Sequence, residues 1–279
     1  MTSTFSRLVR FRASDDQIYY GEAGDTWQQD LKGLEVETFA GSSPFNLGPS
    51  GKKAVISEVL CPLASVPIII GIGLNYKKHA EEAKCLSLYS SADYRPKDSL
   101  AGPYEDIPVH VEAKYLDYEC ELAVVVGKDA KDIKDSEDPL EYVLGYTGAN
   151  DLSARYWQFD SKLNGGQHII AKSFDKFAPI GPVIVSPQTI GDAENLRLRT
   201  WVDGDLRQDG STNDLLFGIK EIIRFLSVGK TLRKGTVIMT GTPRGVAAGM
   251  KEPIWLENGQ TVAIEIEKIG KIANKLAFY

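Results

Sequence analysis

Tyr118-Glu119-Cys120-Glu121-Leu122-Ala123-Val124-Val125-Val126 is the stretch on which the reading of this chain turns. Its second half is apolar and largely β-branched, and its length suits one strand. Side chains alternate faces along a strand, so Glu119 and Glu121 point the same way, about 7 Å apart at Cα. Ala123 and Val125 continue that face, while Tyr118, Cys120, Leu122 and Val124 make the other. Neither face is polar beyond the two acids, which predicts a strand buried on both sides. Two carboxylates placed there repel each other and lose hydration. A divalent cation would resolve both problems, and an oxygen-only donor set suits Mg²⁺, Mn²⁺ or Ca²⁺. A structural ion pair is the other reading, and both stay open on composition alone.

A second Glu-x-Glu, Glu265 and Glu267, provides the contrast. Val262, Ile264 and Ile266 line the opposite face, and Thr261 shares the glutamate face. That alternation predicts a half-buried strand with a solvated acidic side.

Further from the strand, bulk composition sets limits. The chain has 279 residues, 43% of them hydrophobic and 25% charged, which is ordinary globular composition with room for one or two domains. Net charge is −6 and no Lys/Arg run forms a basic stripe, so neither nucleic acid nor a membrane surface is an expected partner. The segment 1–14 lacks the apolar core of a signal peptide, and the apolar run Val66–Leu74 is too short to span a bilayer. Cys61, Cys85 and Cys120 are an odd number without a CxxC, which argues against disulfides or a zinc ribbon and for a reducing, cytoplasmic setting. Cys120 reads as a buried small hydrophobe.

Strands are predicted at Leu8–Phe11, Ile18–Tyr20, Val55–Leu60, Ile68–Gly73, Leu144–Ala149, Thr236–Thr240 and Gln260–Ile266. Asp203-Gly204 between two such runs predicts a hairpin with a type I′ turn. Leu215, Ile219, Ile222, Ile223 and Leu226 have helical spacing before Gly229. Helix starts are expected at Ser136, as an N-cap ahead of Pro139, and over Leu152–Leu163. Residues 86–109 read as an irregular loop or lid, and 41–51 as a Gly/Ser/Pro-rich connector. Many strands that do not alternate regularly with helices predict a β-rich α+β domain rather than a Rossmann or TIM plan.

Outside the Glu-x-Glu strand, four features carry chemistry. Asp151 ends an apolar strand, where it is either a third acid for a cation or a helix N-cap. If Tyr76–Lys84 is helical, Glu82 lies one turn beyond His79 and can orient its ring, as a general base requires. Lys172 follows three apolar residues, which suits a buried, paired ammonium or a snorkelling one. Thr240-Gly241-Thr242-Pro243-Arg244-Gly245 follows a strand directly and can offer backbone N–H groups to an anion or be a tight turn only. Gly71 and Gly73 lack the third glycine of a dinucleotide fingerprint.

Taken together, Gly73-Leu74-Asn75-Tyr76…His79, Asp117-Tyr118-Glu119-Cys120-Glu121-Leu122, Gly145-Tyr146…Asn150-Asp151-Leu152-Ser153-Ala154-Arg155, Lys172-Ser173-Phe174-Asp175, Gly181-Pro182 and Thr240–Val246 resemble the fumarylacetoacetate hydrolase family, over about residues 66–279. The resemblance implies an α+β, β-rich fold, that family's mixed β-sandwich roll, with residues 1–65 as a small N-terminal domain and 66–279 as the catalytic one, assembled as a homodimer. It implies Glu119, Glu121 and Asp151 as ligands of Mg²⁺, with Mn²⁺ or Ca²⁺ as substitutes. His79, Glu82 and Lys172 are then catalytic, and Tyr76, Arg155, Gln158 and Thr242 bind a small anionic keto acid or diketone. The implied activity is cleavage of a C–C bond through a cation-stabilised enolate, as in acylpyruvate hydrolysis. Oxaloacetate-type decarboxylation and keto-diacid isomerisation at the same site are the alternatives, and a non-catalytic, metal-stabilised binding protein is the alternative of another class. Two departures bear on the substrate. Arg95 stands where the family has Lys and Asp93 where it has an aromatic residue, and His168 stands where Trp is common.

Overall fold

The Glu-x-Glu strand lies in the interior of the largest of three sheets among the described residues. In the computed structural model, which describes residues 4–25, 28–83, 91–159 and 161–279, Cys120–Val126 is flanked by Val143–Asn150 and Val237–Met239 and is buried along its whole length. The sheet continues on one side through Ala178–Val185 to Arg7–Ala13, Gly48–Val59, Glu35–Ala40 and Ile18–Glu22, and on the other through Ile69–Gly73 to Ser91–Arg95. Its pairings are antiparallel except where Ile69–Gly73 runs parallel to Val237–Met239 and Leu100–Ala101 runs parallel to Ala178–Val185. A second sheet orders Asp205–Ser211, Arg197–Val202, Thr261–Ile266, Gly270–Phe278 and Ile107–Val109.

Period-two alternation decides what each face buries. Cys120, Leu122, Val124 and Val126 join Leu198, Val202, Ile264, Ile266 and Leu276 in the core between the sheets. Ala123 and Val125 turn the other way and pack with Leu8, Ile180, Ile184, Val237 and Met239. The strand is therefore buried on both faces, as its sequence predicts. Leu122, wholly buried between the sheets, sets a test of this core. Leu122→Ala should lower stability by about 2–5 kcal/mol, read as a reduced urea midpoint with little change in m.

The Asp203-Gly204 hairpin forms with φ of 49° and 90° at its two central residues, the signature of a type I′ turn. The amphipathic helix is Ile219–Ser227, with Ile219, Ile222, Ile223 and Leu226 buried; Leu215 lies before it. Glu265 meets Arg199 on the neighbouring strand and is half-buried, as is Glu267. Cys61 and Cys120 are free and buried, and burial pushes the Cys61 thiol up to about 12; Cys85 and residues 86–90 fall outside the described residues.

Four expectations are corrected. From Ser91 onward the supposed loop contains a strand paired with Ile69–Gly73, a short 3₁₀ turn and Ile107–Val109; its Ser, Asp and Pro content hid a strand whose role is to carry Arg95 inward. Ser136 caps nothing: Asp138 accepts from the backbone N–H of Leu140 at 3.1 Å and starts only the 3₁₀ turn Pro139–Tyr142. Leu152–Leu163 is not one helix, because Ser153–Ala154 pairs with Leu116–Asp117 before the short helix Arg155–Phe159 begins. The connector 41–51 hides the start of the long strand Gly48–Val59, whose partner Glu35–Ala40 was also unread. In all but the Ser136 case, pairing to another strand overrode local composition. Among the described residues no helix is long and apolar enough to cross a membrane.

Candidate active site

Sheet register brings the acids together. Cys120 pairs with Asn150 across the sheet, so Asp151 falls opposite Glu119, and its N–H donates to the Glu119 carbonyl at 2.9 Å. One carboxylate oxygen from each of Glu119, Glu121 and Asp151 lies within 4.8 Å of the others, and all three residues are buried. Asp151 is thus no N-cap; its side chain belongs to this cluster.

Basic side chains surround two of the acids. Lys172 Nζ is 2.8 Å from Glu119 Oε2 and 2.6 Å from Asp151 Oδ2. Arg155 donates from Nη2 to Glu119 Oε1 at 2.5 Å and from Nε to the wholly buried Asp117 at 2.9 Å. Arg95, also wholly buried, forks onto both oxygens of Asp151 at 2.6 Å and donates from Nε to Asp93 at 2.8 Å. Burial alone would raise the Glu119 carboxyl, but Lys172 and then Arg155 outweigh it and hold it well below the usual carboxylate range. Burial likewise works against the Lys172 ammonium, yet Asp151 and Glu119 keep its pKa above the ordinary lysine value.

Glu121 differs. Among the described residues it makes no ion pair; its Oε2 accepts from the Gly241 N–H at 2.6 Å. Burial, then Asp151 and Glu119, push its carboxyl well above the usual range. A buried acid lacking a cation beside two more acids fits a hard divalent ion, which takes oxygen ligands and neutralises all three. The glycine-rich turn thus does present an N–H to an acceptor, but the acceptor is the chain's own carboxyl.

Arg95 needs space that Gly71 provides. A Cβ on Gly71 would lie 2.2 Å from Arg95 Nη2. Arg95→Met should destabilise by about 3–5 kcal/mol, because Asp151 and Asp93 would lose a cation in a dry site, as chemical denaturation would show. Lysine should restore only part, since it cannot fork onto both oxygens.

The short helix Lys77–Glu82 carries the second group. His79 Nδ1 is 3.0 Å from Glu82 Oε2. A carboxylate accepts, so Nδ1 donates and the lone pair falls on Nε2. Glu82 is also met by the Gly245 N–H at 3.2 Å, and a Cβ on Gly249 would lie 2.2 Å from its Cδ, so that glycine leaves it room. Buried Asn75 ties the start of the helix to Thr240 and Phe217 through donors at 2.9 and 3.1 Å.

His79, Glu82, Glu119, Glu121, Asp151, Arg155, Gln158, Lys172 and Thr242 all line one cavity of about 460 Å³, joined by Phe159 and His168. Burial first, then Lys172, lowers the His168 pKa. Tyr76 does not line this cavity; it precedes the helix Lys77–Glu82 and its ring is wholly buried. A larger cavity of about 710 Å³, between the amino-terminal strands and the second sheet, contains none of the sequence-predicted residues. Arg95, Asp117 and Gln208 are the supporting residues that sequence reading did not assign. Arg95 left a trace there, as a departure from an expected lysine, and Asp117 as the first residue of the motif around Glu119 and Glu121.

The family model described as fumarylacetoacetate (FAA) hydrolase, C-terminal, matches residues 68–277. Oxaloacetate tautomerase Fahd2a, mitochondrial, of Rattus norvegicus is 39% identical over 225 residues, 78% of this chain and 68% of that protein. Oxaloacetate tautomerase fahd2, mitochondrial, of Xenopus laevis is 40% identical over 223 residues, 78% of this chain and 67% of that protein. Among solved structures, 5-carboxymethyl-2-hydroxymuconate delta-isomerase from Mycobacterium smegmatis superposes with a TM-score of 0.81 at 30% identity, over 98% of this chain and all of that one. 2-Hydroxyhepta-2,4-diene-1,7-dioate isomerase from Mycobacterium marinum gives 0.80 at 28% identity, over 98% of both chains.

Proposed function

The chain belongs to the fumarylacetoacetate hydrolase family, and from that premise we propose that it is a divalent-cation-dependent enzyme that forms and reprotonates the enolate of a small 2-keto acid, an oxaloacetate-like diacid foremost. The observation that carries this reading is the convergence of Glu119, Glu121 and Asp151 in the same cavity as Lys172 and the His79–Glu82 pair. The names of the relatives, oxaloacetate tautomerases, support the substrate class.

Glu119, Glu121 and Asp151 would hold the cation, with Mg²⁺ proposed and Mn²⁺ or Ca²⁺ as substitutes. Bound there, it would act as a Lewis acid that stabilises negative charge on the substrate's keto oxygen. His79, with its Nδ1 proton committed to Glu82, takes a proton from the carbon beside the keto group and returns it in the reverse direction. Lys172 keeps its charge and holds Glu119 and Asp151 in place, the supporting role that fixes ligand orientation. Arg155, pinned by Asp117, and Gln158, 2.5 Å from Arg155 Nη1, receive the substrate's carboxylate.

The intact His79–Glu82 pair supports a second reading, hydrolysis of an acylpyruvate, in which His79 takes its proton from an attacking water instead. The two differ in product. Proton NMR in D₂O should show accelerated loss of the C3 protons of oxaloacetate with Mg²⁺, abolished by a chelator. Acylpyruvates in parallel should yield cleavage products only if the second reading holds. Failure to accelerate either reaction would overturn both and leave a metal-stabilised binding protein. Residues 66–279 are the proposed catalytic part and a homodimer the proposed assembly. The compartment is proposed to be intracellular; the relatives' names say mitochondrial, against the cytoplasm expected from the sequence.

A further inference from the structure

Gln208, on the second-sheet strand Asp205–Ser211, is 1% exposed, and both ends of its amide are engaged. Its Oε1 accepts from the Cys120 backbone N–H at 3.0 Å and from Thr200 Oγ1 at 2.8 Å. Its Nε2 lies 2.8 Å from the Pro243 carbonyl and 2.9 Å from Thr242 Oγ1. A peptide N–H can only donate and a carbonyl can only accept, so Cys120 and Pro243 fix which end of the amide is oxygen. The contact with Thr242 then has one sense: Gln208 donates and the hydroxyl oxygen accepts. Thr242's own proton is left over. Among the described residues no acceptor receives it, and Thr242 stands in the wall of the cavity that holds the three acids.

We propose that Gln208 is a positioning residue that fixes Thr242 as a hydrogen-bond donor into the cavity, so the substrate atom received there is an acceptor, a carboxylate or enolate oxygen. This deepens the proposed function and rests on it. The packing holds the arrangement. A Cβ on Gly210 would meet Pro243 Cβ at 2.5 Å, and one on Gly245 would meet the Arg207 carbonyl at 2.5 Å, so two glycines let the strand and the turn approach closely enough for the amide to reach across. Because Gln208 also binds the peptide between Glu119 and Glu121, one amide sets the spacing between the acidic strand and the substrate turn. With Gln208 on one lone pair and its proton unclaimed among the described residues, the Thr242 hydroxyl has that proton to offer, so the site favours an acceptor at that point.

Oxalate, a planar dianion that offers only acceptors, is the probe. Its affinity for the Mg²⁺-loaded whole protein is measured by calorimetry, beside kcat/KM for oxaloacetate. Thr242→Val should weaken oxalate roughly tenfold to a hundredfold, the usual loss of a hydrogen bond to a charged group, and Thr242→Ser should stay within about threefold of the parent, because it keeps the hydroxyl. Gln208→Met should weaken it roughly tenfold, and the double variant with Thr242→Val should be no worse than Thr242→Val alone, since the two act as one unit. Mn²⁺ affinity should hold within about threefold in Thr242→Val, which leaves the three acids untouched. Oxalate binding unmoved by Thr242→Val, or effects that add in the double variant, would overturn the proposal. Should Gln208→Met not fold, neutron diffraction on the parent reads the same assignment: a Thr242 deuterium directed at Gln208 overturns it, and one directed into the cavity supports it. A parent that binds oxalate through Thr242 but turns over no keto acid would sink the proposed function and leave this assignment standing. A parent that does not bind oxalate would sink the assignment.

Discussion

Glu121→Ala should lower kcat/KM with Mg²⁺ by about 10³-fold or more, equivalent to about 4 kcal/mol at 1.36 kcal/mol per factor of ten. It should also remove the protein's thermal stabilisation by Mg²⁺, which exists only if the folded state binds the ion. Among the three acids this is the informative substitution. Glu119 is paired with Lys172 and Arg155, and Asp151 with Arg95 and Lys172. Removing either takes a carboxylate from two buried cations at once, so Glu119→Ala and Asp151→Ala should cost about 3–5 kcal/mol of folding stability besides their effect on turnover. Glu121 has the Gly241 N–H and, among the described residues, no ion pair. Its loss should leave the cation-free protein at least as stable as the parent, because it removes a buried acid that two neighbouring acids repel. Thermal scans with and without Mg²⁺, beside the kinetic assay, separate these effects. An Glu121→Ala protein that retains both turnover and Mg²⁺-dependent stabilisation would leave the proposed chemistry without a foundation.

His79→Ala carries the second large effect. A positioned general base contributes about 10²–10⁴-fold, so the reaction in which His79 moves the proton should slow by that factor. Mg²⁺ affinity should not change, since His79 is outside the cluster of acids. Glu82→Gln should slow the same reaction less, because the amide can still meet the ring but no longer holds it as a carboxylate does. The result also divides the two reactions. If oxaloacetate C3 exchange persists at full rate while acylpyruvate cleavage collapses, His79 acts on water; if both collapse, it serves both. Full rates in both would remove His79 from the mechanism.

Much of the acidic cluster was legible because its signal is local. Glu119 and Glu121 share a face through the two-residue period of a strand, and the apolar residues around them show that the face is buried. The β-rich class was legible for the same reason, since alternation and turn chemistry at Asp203-Gly204 are short-range. The strand Ser91–Arg95 was not, because Ser, Ala and Asp have weak β preference and form a strand only where Ile69–Gly73 supplies the other half of the hydrogen bonds; Glu35–Ala40 carries strand-forming Val36, Thr38 and Phe39, but in a segment of only six residues. Tyr76 was placed at the substrate by its position in a motif, yet its ring is wholly buried.

By itself, then, the sequence determined the strand-rich class, the pair of acids with an oxygen-only donor chemistry, and the His79–Glu82 spacing on one helical turn. Each depends on residues a few positions apart, where backbone geometry fixes which side chains share a face. Only the tertiary structure decided that Asp151 stands opposite Glu119, that Arg95, Arg155 and Lys172 compensate two of the three acids, and that Gln208 reaches Thr242 across the sheets. Those contacts join positions tens of residues apart, and they are set by strand register and by how closely two sheets pack, which no local pattern encodes.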